Sequence, residues 1–374
     1  MEKLNIGVIF GGRSGEHQVS LMSARSVLSA LDPRKYQVTQ IGITQEGIWL
    51  TGENVLESFE TGNVEHLTPV TLLPEPGHAT LYQRPANPRA GKFKPLPTPK
   101  VFFPVLHGTY GEDGTLQGLL EMADVAYVGA GVLASSVAMD KGLFKDLMTA
   151  HQIPVVERML VWRKQIETQP EDVIAQAEAF SPYPMFVKPA NLGSSVGISK
   201  CHNQPEIREG LIVAALYDER ILIERGIEAR EIEVSVLGNG EPIASLPGEI
   251  IPADEFYSYY AKYEDNRTQL IIPAKLSTDL TQKVQHLATR AYKAINCQGM
   301  ARVDFLIDKT SQEIFVSELN TIPGFTNMSM YPKLWEASGI SYSHLLNRLI
   351  DLAIQVRTER DRNQYSFCLI DNNI

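Results

Sequence analysis

Residues 4–10 (LNIGVIF) form an apolar run that stops at Gly11-Gly12 and gives way to a helical pattern. Leu21, Ala24, Leu28 and Leu31 recur near the 3.6-residue period, Asp32-Pro33 closes the helix, and Tyr36–Ile43 returns to an extended pattern. Strand, glycine turn, helix and strand in that order require a crossover, and a crossover joins parallel neighbours. The chain therefore opens with an α/β domain on a parallel sheet. Val101–Leu106, the helical stretch LQGLLEMA and the strand AYVGA extend that domain to about residue 129. The proline-rich segment 69–99 reads as an irregular insertion with room for a short hairpin.

Beyond a helix at Asp140–Gln152 the texture becomes α+β. Strands are expected near 156–162, 184–188, 196–200 and 220–224, with helices at 171–180 and 204–216. A further block has strands at 231–238, 242–250, 300–307 and 314–320 and helices at 278–296 and 341–358. At 374 residues the chain is too long for one ordinary core, and three domains are expected, at 1–129, 130–224 and 225–374. The net charge of −10 argues against a general partner in nucleic acid or an anionic membrane. Cys201, Cys297 and Cys368 have neither disulfide nor metal-ligand spacing. No signal peptide or membrane span is expected, and the location expected is cytoplasmic.

Chemistry concentrates in three places. The stretch GMARVDFLIDKTSQEIFVSELN is a hairpin by pattern. If Asp308 and Ile314 flank its turn, Asp304 lies opposite Glu318 and Arg302 opposite Asn320. Opposed residues share a face, so these four make a polar patch, and Val303, Phe305 and Leu319 fill the other side. Opposed carboxylates repel unless something positive stands between them. Either Arg302 neutralises them as a surface ion-pair cluster, or the oxygens hold a hard cation together with nucleotide phosphates. In PMFVKPANLGSSVGISK, Lys188 ends an apolar strand and Gly193–Gly197 follows as a loop whose amides can approach an anion. It lacks the spacing and following helix of a Walker loop. In ILIERGIEAREIEVSVL, Glu224 can accept from an adenine amino group and Glu231 from ribose hydroxyls; the alternative is an interdomain linker with ordinary charge pairs.

The blocks EHQVSLMSA, LHGTYGEDGTLQG, MDK, FVKPANLGSSVGISK, IERGIEAREIEVSVL, AKY, GMARVDFLID and ELNTIPGFTNMSMYP stand in the order of one family. Over residues 4–356 the chain resembles D-alanine–D-alanine ligases of the ATP-grasp superfamily. The resemblance implies an N-terminal Rossmann-like parallel-sheet domain followed by a two-part ATP-grasp fold. It also implies a cytoplasmic homodimer in peptidoglycan precursor synthesis, with D-alanine and ATP as substrates and two Mg²⁺ (or Mn²⁺) as cofactors. ATP phosphorylates one D-alanine carboxylate, and the amine of a second attacks the acyl phosphate.

By the same resemblance, Asp304, Glu318 and Asn320 are metal ligands, and Arg302 with the Gly324 N–H forms the oxyanion site. Lys141 and Lys188 bind ATP phosphates, and Glu224, Arg225, Ile227 and Glu231 contact adenine and ribose. Glu16 receives the first D-alanine's ammonium, His107 lies nearby, and Ser194 and Tyr263 bond with Glu16 to close a lid. Lys262, Ser329 and the Met330 N–H hold the second D-alanine's carboxylate. Lys262-Tyr263 in the loop favours a dipeptide over a D-lactate product but leaves D-serine open. Gln18 departs from the family's usual Glu, and Met330 from a frequent Leu. A dehydrogenase is set aside, because G-x-G-x-x-G spacing and an acidic end to the second strand are both missing. A non-catalytic descendant would have lost a metal or oxyanion residue, and none is lost.

Overall fold

The computed structural model describes residues 2–76, 80–85, 89, 91–193, 196–251, 268–326 and 328–364. Among them, three sheets carry the chain. The first is built from β1 (Leu4–Gly11), β2 (Tyr36–Ile43), β3 (Trp49–Thr51), β4 (Thr68–Leu72), β5 (Leu81–Gln83), β6 (Lys94–Pro95), β7 (Val101–Pro104) and β8 (Ala126–Tyr127). Its order is β6-β5-β4-β3-β2-β1-β7-β8. The segment β2-β1-β7-β8 is parallel, as the opening crossover requires. The other pairs are antiparallel, so the sheet is mixed. The proline-rich stretch supplies β5 and β6 at the edge, where a missing N–H is tolerated.

Helices α1 (His17–Ala30), α2 (Val55–Thr61) and α3 (Thr115–Met122) accompany this sheet. Alternation along β1 sends Ile6, Val8 and Phe10 into one core and Ile9 into another, with Phe102, Leu116 and Leu120. At the end of β1, Gly11 has φ +88°, and a Cβ there would lie 2.3 Å from the Ile43 carbonyl oxygen. Only glycine lets the chain turn this close to β2.

Two helices follow, α4 (Val132–Met139) and α5 (Lys141–Ala150), before the second sheet. That sheet has the order β11-β10-β12-β9 and is formed by β9 (Arg158–Trp162), β10 (Met185–Pro189), β11 (Ser199–Cys201) and β12 (Arg220–Arg225). Met185, Val187, Ile221 and Ile223 point into a core with α6 (Arg163–Thr168), α7 (Pro170–Phe180) and α8 (Gln204–Tyr217). The period of two leaves Phe186, Lys188, Leu222 and Glu224 on the opposite face.

The third sheet contains β13 (Ala229–Leu237), β14 (Ile243–Ala244), β15 (Gly248–Ile251), β16 (Gln269–Ile271), β17 (Met300–Asp308) and β18 (Ile314–Asn320). Its path is β16-β15-β13-β17-β18, with β14 paired to β13. One face, with Ile232, Val234, Ala301, Val303, Phe305 and Leu319, packs on α9 (Thr278–Ala294) and its neighbours.

The chain ends on α10 (Met330–Ala337) and α11 (Tyr342–Arg360). Helix α11 returns to the first sheet: Leu345, Leu349 and Ile350 share a core with Ile6, Val8 and Phe10. Arg357 forks onto Asp124 just before β8, its Nη2 lying 2.9 Å from Oδ2. The hydrogen bond from Arg357 holds the Asp124 carboxyl below its ordinary value, against a smaller opposing effect of burial. A carboxyl lowered in the folded state stabilises fully above its unfolded pKa and loses that contribution as pH falls through the folded value. Asp124→Asn should therefore cost about 0.5–1 kcal/mol, given the partial exposure of the pair. The difference from the parent should be constant from pH 8 to about pH 5 and shrink below about pH 4, as read by urea unfolding across that range.

Candidate active site

The polar face of the third sheet is the centre of the site. Arg302 pairs with Asn320, and Asp304 with Glu318, across β17 and β18. On the other side of β17, Asp304 faces Glu233 and Arg302 faces Ser235. The predicted pairs are present, but the hairpin reaches them by a less direct route. Near the turn Ile307 pairs with Ile314 and Phe305 with Val316, and a bulge between Asp304 and Phe305 then shifts the register. The extra residue, Ser317, brings Glu318 opposite Asp304.

Arg302 donates from Nε to Asp304 Oδ1 at 2.7 Å and from Nη2 to Oδ2 at 2.6 Å. Its Nε also lies 3.0 Å from Glu233 Oε2. Asn320 Nδ2 donates to Asp304 Oδ2 at 3.0 Å. Burial works against the Arg302 charge, but Asp304 and Glu233, with Glu318, outweigh it and hold the guanidinium pKa well above its ordinary value. Glu233 was not singled out from the sequence. Its signal is the alternation in EIEVSV, which places Glu231, Glu233 and Ser235 on one face.

The loop after β18 is fastened to the first sheet. The buried His107 ring has Nδ1 3.0 Å from the Ile322 carbonyl oxygen and Nε2 3.0 Å from Ser23 Oγ. A carbonyl can only accept, so Nδ1 carries the proton and Nε2 accepts from the serine. Burial lowers the imidazole pKa more than the Glu16 carboxylate and the Ile322 carbonyl raise it, and Arg302 adds to the lowering. The ring is neutral near pH 7. Phe325 N–H donates to Ser23 Oγ at 3.3 Å, and the Phe325 ring packs edge-on against Phe103. Gly324 thus sits between two anchored residues. A Cβ on it would lie 2.8 Å from Ser329 Oγ. That hydroxyl is turned toward Thr326, accepting from its N–H at 3.1 Å, and makes no cap bond to α10, which starts at Met330.

Glu16 precedes α1 and makes no side-chain cap bond to it. Its Oε2 lies against Gly108, where φ is +73° and a Cβ would come within 2.7 Å, and near Gly193 of the glycine-rich loop. Glu112, another residue the sequence did not single out, accepts from Gly108 N–H at 3.1 Å. Its pKa is pushed up to about 8 by burial and by the Glu16 carboxylate, with a smaller push from Glu318. Glu16, Glu112, Glu318 and Arg302 therefore share one electrostatic field, although they come from opposite ends of the chain.

On the second sheet, Glu224 is buried between two ammonium groups. It pairs with Lys145 through Oε1 and with Lys188 through Oε2, the latter at 2.6 Å. Burial alone would raise the Glu224 pKa, but Lys145 and Lys188 hold it down to about 2. Lys141, at the start of α5, donates to the Leu192 carbonyl and so reaches the glycine-rich loop. Arg225 instead turns to Glu157, with its Nε 2.7 Å from Oε2, and lies over the Phe315 ring. Ile227 lies in the half-buried link to β13, and Glu231 faces Leu306 on the polar side of the third sheet. Ser194, Lys262 and Tyr263 lie outside the described residues.

A lysine-bearing antiparallel sheet, a carboxylate-bearing one, and a backbone amide held beside the latter are the parts of an ATP-grasp carboxylate ligase. Two family descriptions match the chain: "D-ala D-ala ligase N-terminus" over residues 5–130 and "D-ala D-ala ligase C-terminus" over residues 147–351. The D-alanine–D-alanine ligase of Natranaerobius thermophilus is 46% identical over 368 residues, covering 98% of this chain and 99% of its own. That of Heliobacterium modesticaldum is 49% identical over 363 residues, covering 97% and 98%. The solved Coxiella burnetii D-alanine-D-alanine ligase superposes with a TM-score of 0.82 at 36% identity, over 96% of this chain and 97% of its own. The D-Ala:D-Ser ligase VanG of Enterococcus faecalis gives 0.83 at 32%, over 94% and 100%. The chain belongs to the D-alanine–D-alanine ligase family.

The His107 anchor makes a prediction. His107→Ala frees the Ile322 carbonyl and should lower kcat by about 10²-fold through displacement of the Gly324 amide. His107→Gln can still donate to Ile322 and accept from Ser23, and should recover most of that loss in steady-state kinetics.

Proposed function

We propose that this chain is an ATP-dependent ligase that joins two D-alanine molecules into D-alanyl-D-alanine, releasing ADP and phosphate, for cell-wall precursor synthesis. The observation that carries this reading is the polar face of the third sheet beside the anchored Gly324 turn. Carboxylates and an amide on one face can hold cations for a polyphosphate, and the guanidinium beside them suits a developing oxyanion. As in the family, the enzyme would act in the cytoplasm, as a homodimer.

The donors of Asp304, Glu318 and Asn320 are all oxygen, which fits Mg²⁺ or Mn²⁺. Two carboxylates and an amide are few protein ligands, which suits an ion whose shell is completed by phosphate oxygens. When bound, two such ions would neutralise the triphosphate and the transferred phosphoryl group. Lys141 and Lys188 supply further positive charge to the phosphates, while Glu224, the Arg225–Ile227 segment and Glu231 receive the adenosine.

Glu16 holds the ammonium of the first D-alanine, and this directs its carboxylate toward the γ-phosphate. After phosphoryl transfer, the second D-alanine's amine attacks the acyl phosphate carbon. Arg302 and the Gly324 N–H stabilise the oxyanion that forms, and phosphate departs. Because Ser329 does not cap α10, the positive end of that helix is left for an incoming carboxylate, here the second D-alanine's. His107, which Glu16 acts on electrostatically, holds the Gly324 loop in place beside the first D-alanine's subsite. Ser194 and Tyr263 would close the lid with Glu16, and Lys262 would add charge at the second carboxylate.

Protein incubated with ATP, Mg²⁺ and D-alanine should release phosphate and accumulate the D,D-dipeptide. In competition at neutral pH, D-alanine should be preferred over D-serine as second substrate, and D-lactate should be rejected. No phosphate release with any of the three would overturn the ligase reading. Glu318→Gln should abolish turnover while the thermal unfolding midpoint stays within a few degrees; activity within a few-fold of the parent would remove Glu318 from the metal site.

A further inference from the structure

Lys145 stands one helical turn beyond Lys141 on α5, so both side chains leave the same face of the helix. Lys141 reaches the glycine-rich loop. Lys145 reaches Glu224, and its side chain is only 1% exposed. A lysine this enclosed is rare and normally requires an anion. Glu224 thus serves two ammonium groups of different kinds, one sealed in the core and one, Lys188, that keeps 15% of its side-chain surface. The two ion pairs use different oxygens: Lys145 takes Oε1 and Lys188 takes Oε2.

That asymmetry matters when a nucleotide enters. On the reading above, Lys188 binds a phosphate and Glu224 accepts from the adenine amino group. Entry draws each partner toward a new contact, Lys188 toward the phosphates and Oε2 toward the exocyclic amine, and so weakens the ion pair between them. Lys145 is enclosed and has no such alternative, so it stays on Oε1. It keeps the carboxylate charged and fixes its direction through the exchange.

We propose that Lys145 is a positioning residue for base recognition, holding Glu224 as an acceptor so that the site selects a 6-amino purine over a 6-oxo purine. A carboxylate accepts from an amino group and repels a carbonyl oxygen. The same group with a proton, or an amide in its place, can donate to that oxygen. The inference rests on Glu224 being the base contact, and the test separates the two.

The experiment compares kcat/KM for ATP and for ITP, its 6-oxo analogue, at saturating D-alanine, in the parent, Lys145→Met and Glu224→Gln. Lys145→Met should raise KM for ATP about tenfold or more. It should leave kcat and the KM for D-alanine within a few-fold, and reduce the ATP/ITP preference about tenfold. Glu224→Gln should reduce the same preference by itself, and the double variant should add little. A packing role for Lys145 would lower stability without moving the ratio. If Glu224→Gln changes the ratio and a folded Lys145→Met does not, the role of Lys145 is overturned while the base contact stands. If neither changes it, the base contact itself is wrong, and the proposal falls with it. Should Lys145→Met not fold, Lys145→Gln keeps a donor without the charge and is judged by the same ratio.

Discussion

A guanidinium buried among carboxylates organises the centre of this molecule. Arg302 lies on the polar face of the third sheet, between Asp304 and Glu233, with Glu318 close enough to act on its charge. The cost of desolvating such a cluster offsets much of the attraction within it. The cluster is therefore weak evidence for stability and better evidence for a fixed direction. Three strands hold it, β13, β17 and β18, with Asp304 directly opposed to Glu233 on one side and to Glu318 on the other. The guanidinium is set in place before any substrate arrives, as electrostatic preorganisation requires.

That fixed charge becomes useful only because another part of the chain is brought to it. The Gly324 turn follows β18 directly, but its position is set from the first sheet, by His107 on Ile322 and Ser23 on Phe325. A neutral imidazole suits this junction: it donates on one side and accepts on the other without adding a charge beside Arg302. The end of the chain reinforces the arrangement. Phe325, Tyr331 and Trp335 enter the same core as Ile6, Val8 and Phe10, and α11 lies over that core. A displacement between the first and third sheets would thus move the Gly324 amide relative to Arg302.

Much of this was legible in the sequence, for reasons that differ from element to element. The β1–α1–β2 crossover follows from hydrophobic period and punctuation, and so does the alternation that puts Lys188 and Glu224 on one face. The opposition of Asp304 and Glu318 was also legible, although counting from the turn assumed a regular ladder. The real ladder starts one residue out of step and is corrected by the bulge at Ser317. No pattern in the sequence announces that correction. Helix α4 escaped notice because VLASSVAM has no polar stripe to mark its period, and α10 because Pro332 interrupts its first turn. Glu112 and Lys145 each look like ordinary helix or loop charges in sequence. Their importance comes from burial and from partners more than 70 residues away, as for Lys145 and Glu224, which local periodicity cannot express.

The two charged centres of the site are built on opposite principles. Around Arg302, carboxylates from three strands surround one cation. Around Glu224, two cations surround one carboxylate, one of them sealed. A triphosphate brings negative charge, and a purine amine brings a donor. On the proposed function, the first centre would take the phosphates through added cations, and the second by loosening Lys188 from a partner that Lys145 continues to satisfy. Without Lys145, release of Lys188 would leave Glu224 buried and unpaired, a cost that would oppose binding. The enclosed lysine makes the exchange at the surface of the site thermodynamically accessible, and this is a physical reason to find two lysines on one carboxylate where a single ion pair would satisfy the fold.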